Sequence, residues 1–409
     1  MTLLADSTVA SAFPILGREG LVYLDSGATS QKPQVVIDAL EGLLARHNAN
    51  IHRGVYPLAV EATELYEGAR ERIAAFVGST PTETIVTKNA TEAINLVAHA
   101  WGRTNVGAGD AIVLTQMEHH SNIVPWHLLA EATGAELRWL EVDEQGLLDL
   151  EQLDRHLADG RTKLVTVTHV SNVLGTLNPV AEIVARSRAA GAATLVDGSQ
   201  AVPHMPVDVV RIGADFYVWT GHKAYGPTGV GILHGRREVL EAMPPFLGGG
   251  DMIKTVTMDG VTFADLPLKF EAGTSPIAEV VGLGAAIDFL AGIGMDRVRA
   301  HEREITAYAL EQLAQVPGLS VYGPLDADRR GGIVAFAMEG THPHDVAEIL
   351  GRDGVCVRAG HHCAQPLMQR LGVGATTRAS FAVHTTHAEI DRLVEGLGNV
   401  RRVFRLDED

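Results

Sequence analysis

Asp215-Phe216-Tyr217-Val218-Trp219-Thr220-Gly221-His222-Lys223 is the stretch whose reading decides the fold. Its apolar, β-prone run stops at Thr220-Gly221-His222-Lys223, and Ala224-Tyr225-Gly226-Pro227-Thr228-Gly229 follows with Gly and Pro turn signals. The pattern predicts a buried strand that delivers Lys223 into a short turn. An amine held against apolar surroundings loses its proton more readily than a free lysine. A Schiff-base lysine needs that property. Taken alone, Lys223 fits an ordinary surface turn at least as well, so its company matters.

The company lies upstream. Ala192-Ala193-Thr194-Leu195-Val196-Asp197 is a second short apolar run ending in an acid, followed by Gly198-Ser199-Gln200-Ala201. Ligands of open α/β sheets bind outside the carboxyl ends of the strands. Asp197 and Lys223 can therefore meet over one ligand. Pyridoxal phosphate uses such a pair, a lysine for its aldehyde carbon and a carboxylate for its pyridinium nitrogen. Asp197 alone also suits a helix N-cap or a turn.

Composition bounds the function. The chain has 409 residues, 46% of them hydrophobic, enough for a substantial core and for two or three domains. Lys and Arg number 33 against 50 Asp and Glu, a net charge of −17, which argues against nucleic acid and anionic membranes as partners. Met1-Thr2-Leu3-Leu4-Ala5-Asp6-Ser7 has no basic segment followed by a long apolar run, so no signal peptide is expected and a cytoplasmic location is. The apolar stretch from Val280 to Gly294 contains Asp288 and several glycines and reads as a buried helix, not a membrane span. The only cysteines, Cys356 and Cys363, make no disulfide framework.

Along the chain, a short arm ends in Leu21-Val22-Tyr23-Leu24-Asp25-Ser26-Gly27. Helices are expected from Pro33 to about Arg46 and from about Val60 to Phe76, with the His52-Arg53-Gly54 loop between them. Strands are expected at Thr84 to Thr87, Ala111–Thr115, Glu136–Glu141, Lys163–Thr168, Thr194–Val196, Phe216–Trp219 and Gly229–Leu233, with helices in most gaps between the earlier ones. That alternation predicts an α/β fold built on a mainly parallel sheet covered on both faces, with the last strand able to run antiparallel. Gly248-Gly249-Gly250 and the polar stretch to Phe263 read as a mobile loop. Helices near Ala278 to Leu290 and Arg297 to Gln315 lead to a smaller α+β region, with strands near Gly332–Met338 and Val355–Arg358 and a final helix after Thr386.

Several segments carry candidate chemistry. Asn89-Ala90-Thr91-Glu92 resembles a capping box, and Ala90 and Thr91 at a helix start offer N–H groups to phosphate. Thr220 and His222 can add phosphate hydrogen bonds. His119, in Met117-Glu118-His119-His120 after a strand, can stack on a flat ring and move protons. Adjacent His119 and His120 point apart and lack compact Cys/His spacing, so no metal is expected there. Cys363, in Arg358-Ala359-Gly360-His361-His362-Cys363-Ala364-Gln365-Pro366, has polar, positive neighbours that favour a thiolate. Cys356, in Gly354-Val355-Cys356-Val357, reads as a buried small hydrophobe. Arg378 can grip a carboxylate with two hydrogen bonds, or make a surface salt bridge.

These segments, with Thr168-His169-Val170-Ser171-Asn172, Glu271-Ala272-Gly273-Thr274 and Arg378-Ala379-Ser380, resemble in order the class V aminotransferase group of pyridoxal phosphate enzymes, and within it the SufS-type (group II) cysteine desulfurases. The resemblance implies a fold-type I transferase working as a homodimer. It implies a 1–25 arm packed on the small domain, a 26–290 large cofactor-binding domain and a 291–409 small domain carrying the cysteine loop. Lys223 would bond the cofactor, Asp197 its ring nitrogen and Gln200 its ring hydroxyl, with His119 stacked above. Ala90, Thr91, Thr220 and His222 would hold phosphate, and Thr274 would reach it from the other subunit. Thr220 stands where many relatives have Ser, which keeps the hydroxyl. Asn172, Arg378, Arg358 and His52 would hold L-cysteine. Lys223, His119 and Cys363 would be catalytic, leaving a persulfide on Cys363 and releasing alanine. The sulfur would pass to a SufU- or SufE-type acceptor for iron–sulfur cluster assembly, other assembly scaffold proteins being further partners. His344, in Thr341-His342-Pro343-His344-Asp345, is a candidate contact to a zinc carried by that acceptor; the same segment suits a plain helix start. A selenocysteine lyase or cysteine sulfinate desulfinase is the alternative on the same site, and an inactive assembly scaffold the alternative of another class.

Overall fold

A computed structural model describes residue 4 and residues 9–406. The strands, in chain order, begin with β1 (Val22–Tyr23), β2 (Thr84–Thr87), β3 (Ala111–Thr115), β4 (Glu136–Leu140) and β5 (Thr162–Thr168). Next come β6 (Ala193–Asp197), β7 (Phe216–Thr220), β8 (Gly231–Gly235), β9 (Ile253–Val256) and β10 (Val261–Phe263). The last are β11 (Leu319–Tyr322), β12 (Ile333–Met338), β13 (Val355–Cys356), β14 (Arg358–Gly360) and β15 (Thr376–Ser380). Among the described residues they form four sheets.

The large sheet runs β2-β8-β7-β6-β5-β3-β4. Its neighbours from β7 to β4 are parallel, and β8 lies antiparallel between β7 and β2. Every residue of β3 and β7 is buried, as continuous apolar strands require when helices cover both faces. Two apolar cores result. One packs Tyr66, Val113, Trp219 and Leu283 together, the other Ile94, Trp126, Phe216 and Val218. Helix Ile277–Ile293 is apolar nearly all round because it is enclosed, packing on helix Pro57–Phe76.

The second sheet, β11-β12-β15-β14, is antiparallel. Helices Met295–Leu313, Pro343–Arg352 and His387–Val403 complete a separate core around Ile305, Phe336, Leu350 and Leu393. β1 pairs in parallel with β13, Val22 opposite Val355 and Tyr23 opposite Cys356, which ties the end of the arm to this half. Residues 1–3 and 5–8 of the arm lie outside the described residues.

The structure departs from the sequence reading in four places. The stretch expected as a loop to Phe263 contains the β9–β10 hairpin, with Val256 paired to Val261. β15 was not anticipated: its Thr376-Thr377-Arg378-Ala379-Ser380 pattern is polar, yet every residue is buried. β11, short and half-exposed, likewise gave no clear signal. At the helix beginning with Ala90, the Asn89 side chain accepts from the Glu92 N–H as expected, but the Glu92 carboxylate takes the Lys88 N–H instead of closing a capping box on Asn89. Among the described residues, no single helix is long and apolar enough to cross a membrane.

Candidate active site

The carboxyl ends of β5, β6 and β7 lie side by side, Thr168 paired with Asp197 and Asp197 with Val218. They open into a cavity of about 580 Å³. Lys223, Asp197, Gln200 and His119 all line it, as do Ala90, Thr91, Thr220 and His222. Asn172, Arg378, Arg358 and Cys363 line it as well, with His344 at its edge. Residues as far apart in sequence as Gly27 and Arg378 thus share one space. Gly231 allows part of this: a Cβ there would sit 2.4 Å from the Asn89 carbonyl carbon, so only glycine lets β8 pass so close to the helix that starts at Ala90.

Lys223 sits in a single helical turn, Gly221–Lys223, directly after β7. The protein enclosing its amine lowers the pKa to about 8; Asp197 pulls in the opposite direction and Arg378 reinforces the drop. The peptide just before it is held firmly. Among the described residues, the His222 carbonyl accepts from Ser30 N (3.1 Å), Ser30 Oγ (3.0 Å), Thr29 Oγ1 (3.2 Å) and Lys32 Nζ (2.9 Å). Ser30 Oγ also takes the Tyr225 N–H at 2.8 Å. Tyr225 adopts a left-handed φ of 61°, unusual for a bulky residue, so the turn after Lys223 is fixed by tertiary contacts rather than by local preference.

Asp197 accepts the Ser199 N–H on Oδ1 at 2.9 Å. Gly198 is needed beside it: a Cβ would meet the Tyr217 ring at 2.1 Å. Gln200 donates Nε2 to the Gly27 carbonyl at 2.7 Å, and its buried Oε1 has no partner among the described residues. The Thr220 hydroxyl is likewise buried without a partner among them. Buried polar atoms normally find partners, so both invite a ligand.

His119 Nδ1 accepts the Ser121 N–H at 3.1 Å, which places the ring proton on Nε2. Burial, helped by the Lys223 charge, pushes its pKa down to about 3, so the ring stays neutral. Glu118 anchors this segment from below, accepting from Thr115 Oγ1 (2.7 Å), Thr168 N (2.9 Å) and Asn122 Nδ2 (2.6 Å). It ties the end of β3 to the end of β5.

Cys363 is exposed at the cavity edge. His362 and Cys363 are consecutive left-handed residues, φ 51° and 56°, a geometry costing roughly 1–2 kcal/mol per residue for L-amino acids. Hydrogen bonds offset that cost. The Cys363 carbonyl accepts from His120 N at 2.7 Å, and the His362 carbonyl from Asn172 Nδ2 at 2.8 Å. His362 Nε2 lies 3.1 Å from the Thr376 carbonyl. The loop is short and pinned at three points. Cys356 is half-buried in β13, as a small packing residue would be.

Arg378 projects from β15 and is buried. Its Nη1 donates to the Asn172 carbonyl at 2.9 Å and its Nη2 to Asp25 at 3.3 Å. Its Nε has no partner among the described residues. Arg358, exposed, grips the same Asp25 at 2.8 Å.

Two expected site residues are not brought into this cavity within the chain. Thr274 is exposed beside a second cavity of about 310 Å³ lined by Thr87, Lys88 and Glu271. Its loop is anchored by Glu271, which pairs with buried Arg70 at 2.6 Å. His52 lies outside as well, 2.7 Å from Glu67. Conversely, sequence reasoning missed Lys32 and Asp25. Only the Asp25-Ser26-Gly27 turn hinted at them, since their partners lie 190 and 333 residues away.

A family model for class-V aminotransferases matches residues 22–393, and so includes every one of these cavity residues. This chain belongs to the class-V aminotransferase family. It is 52% identical to a probable cysteine desulfurase of Streptomyces coelicolor over 98% of each chain. It is similar to the apo structure of a cysteine desulfurase from Thermococcus onnurineus NA1, with 37% identity, a TM-score of 0.93 and 99% of each chain covered. A cysteine desulfurase of Escherichia coli, solved in an S-sulfonic acid form, matches at 37% identity and a TM-score of 0.91 over 98% of this chain and 99% of that one. The architecture is the α/β fold-type I of pyridoxal phosphate enzymes.

Proposed function

We propose that this class-V aminotransferase family member is a cysteine desulfurase of the SufS type, converting L-cysteine to L-alanine with a persulfide on Cys363. The observation that carries the reading is the convergence of an exposed thiol, a lysine of lowered pKa and a strand-end carboxylate on one cavity.

The residues fit pyridoxal phosphate. Unpartnered Thr220 Oγ1 and Gln200 Oε1 are orphaned polar atoms of the sort such a ligand satisfies. Lys223 and Asp197 would hold it at its aldehyde carbon and ring nitrogen, Ala90, Thr91, Thr220 and His222 at its phosphate, and neutral His119 against its ring. When bound it supplies an electron sink for charge left on the substrate's Cα.

This chain's residues do the rest. Arg378, held in plane by Asn172 and Asp25, offers its free Nε edge to the substrate carboxylate. Lys223 takes the Cα proton at Nζ, which the lowered pKa permits near neutral pH. The Cys363 thiolate attacks the substrate sulfur: an S–S bond forms, the carbon–sulfur bond breaks, and its electron pair stays on the carbon fragment. The proton lost from the substrate thiol is relayed through His119 to Cβ, Lys223 returns its proton to Cα, and the fragment leaves as alanine. A cytoplasmic setting, where thiols stay reduced, suits the exposed thiol.

The pinned loop leaves Cys363 little travel, so an acceptor of the SufU or SufE type must come to it, feeding cluster assembly. His344, exposed on the first turn of its helix and stacked on His342 at 5.4 Å, stands where it could take up a zinc position from such an acceptor. A homodimer would bring Thr274, and the His52 loop, to a partner's site. Cys363→Ala tests the reading. It should keep its cofactor and lose alanine release from L-cysteine; undiminished release would point to direct lyase chemistry on selenocysteine or cysteine sulfinate instead.

A further inference from the structure

Two histidine rings flank the cysteine loop, and each takes one of its backbone N–H groups. The Gln365 N–H donates to His120 Nε2 at 3.1 Å, and the Cys363 N–H donates to His361 Nδ1 at 3.2 Å. The two rings are neighbours, with centroids 5.6 Å apart. An imidazole nitrogen that accepts an N–H carries no proton, so the ring proton of His120 is on Nδ1 and that of His361 on Nε2. Partial burial, helped by the His361 charge, lowers the His120 pKa and keeps its ring neutral near neutral pH. Among the described residues, the titratable rings beside it are His119 on its own segment and His361 on the cysteine loop.

His120 grips the loop at two points. Its own N–H donates to the Cys363 carbonyl at 2.7 Å, while its ring takes the Gln365 N–H two residues further on. It therefore spans the carboxyl side of Cys363, whereas Asn172 and Thr376 hold the loop on the other side, at His362. Cys363 needs such a hold, because its left-handed φ of 56° is not one its own backbone prefers. The helix Gln365–Arg370 begins at the gripped N–H, so loop and helix are fixed together. His120 also follows His119 directly, and His119 Nδ1 is fixed by the Ser121 N–H on the far side of His120. The His119 ring and the grip on the thiol loop thus belong to one short segment, His119–Ser121.

We propose that His120 is a positioning residue for the desulfurase reaction: by gripping the loop through both its backbone N–H and its ring, it sets the Cys363 sulfur in register with His119, so that thiolate attack and the proton relay act on one substrate in one geometry. His120 lies outside the cavity lining, so it acts through Cys363. The assignment rests on the reading of Cys363 as the sulfur acceptor. The Oε1 of a glutamine stands as many bonds from the backbone as Nε2 of a histidine, and it too accepts an N–H. The Oδ1 of an asparagine stands one bond closer and falls short of Gln365. His120→Gln and His120→Asn therefore separate the grip from polarity alone.

The experiment compares holoenzyme of the wild type with His120→Ala, His120→Asn and His120→Gln. It reads the single-turnover rate at which the Cys363 peptide gains sulfur from L-cysteine, the dissociation constant of L-alanine from the cofactor absorbance, and hydrogen exchange of the peptide containing the Gln365 N–H. In His120→Ala and His120→Asn, sulfur gain should slow by about tenfold or more, as for a nucleophile moved off its attack position. The Gln365 N–H should exchange about fivefold faster or more. The L-alanine constant should stay within about twofold of wild type, because the carboxylate and cofactor contacts are untouched. His120→Gln should bring sulfur gain and exchange back to within about threefold of wild type. If His120→Ala fails to load cofactor, the comparison of Asn with Gln decides. Equal rates in the Asn and Gln variants overturn the assignment, and so does a parallel loss of L-alanine affinity and sulfur gain, which a merely structural role would give. A wild-type enzyme that binds L-alanine but puts no sulfur on Cys363 would instead sink the desulfurase reading, while the exchange comparison, which needs no turnover, would still judge the grip.

Discussion

The Asn172 side chain donates to the His362 carbonyl at 2.8 Å, one residue before Cys363. The segment after β5 therefore holds the cysteine loop directly, and the Asn172 carbonyl in turn receives Arg378. An asparagine in the turn after β5 connects the carboxylate-binding side of the cavity to its sulfur-accepting side. In Asn172→Ala, the left-handed His362–Cys363 pair loses one of its tethers. A buried hydrogen bond of this kind is worth about 1–3 kcal/mol when broken from one side. Alanine release should slow by about tenfold or more, and iodoacetamide should alkylate Cys363 at a changed rate. Unaltered alkylation and turnover would mean that the loop is fixed by His120 and Thr376 alone.

Lys32 is a half-buried ammonium whose hydrogen bonds go to oxygens of Ser30 and to the His222 carbonyl, and burial lowers its pKa to about 8. It orients the peptide that carries Lys223. Lys32→Met should lower kcat severalfold while leaving KM for L-cysteine nearly unchanged, and should shift the pH midpoint of the cofactor absorbance. Lys32→Arg should restore much of both. Equal losses in both variants, with no spectral shift, would reduce Lys32 to a packing residue.

The lowered pKa of Lys223 sets a pH dependence. Only the neutral amine is a nucleophile, so reactivity rises with pH through the pKa. At pH 7.5 a group with pKa about 8 is roughly one-quarter neutral, against about one part in a thousand for an unperturbed lysine. The initial rate at which apoprotein takes up pyridoxal phosphate, followed by absorbance, should rise to a midpoint at about pH 8. A midpoint beyond pH 10 would contradict the burial argument.

His344 is exposed and borders the cavity. His344→Ala should leave alanine release with L-cysteine and a small-molecule reductant within about twofold of wild type. It should reduce stimulation by a zinc-bearing acceptor by tenfold or more. Stimulation equal to wild type would remove the zinc-contact idea.

Much of this was legible in the sequence because it depends on local signals. The apolar run to Trp219 and its Gly-Pro turn placed Lys223 at a strand end, and the run to Val196 did the same for Asp197. The β6–β7 pairing then set the acid and the base on neighbouring strand ends. β15 was hidden because its threonines and Arg378 are buried through hydrogen bonds and ion pairs, not through apolar character. The β9–β10 hairpin was hidden because its exposed faces show no alternation. Asp25 and Lys32 were invisible for a different reason. Each is one charged residue in or just after a short arm, and its role exists only once the chain has brought distant partners beside it.

The measurement that bears most directly on the account is a peptide mass map of holoenzyme treated with L-cysteine in the absence of reductant. The account predicts one extra sulfur on the peptide carrying Cys363, and none on that carrying Cys356. Alanine released while the Cys363 peptide stays unmodified would contradict it.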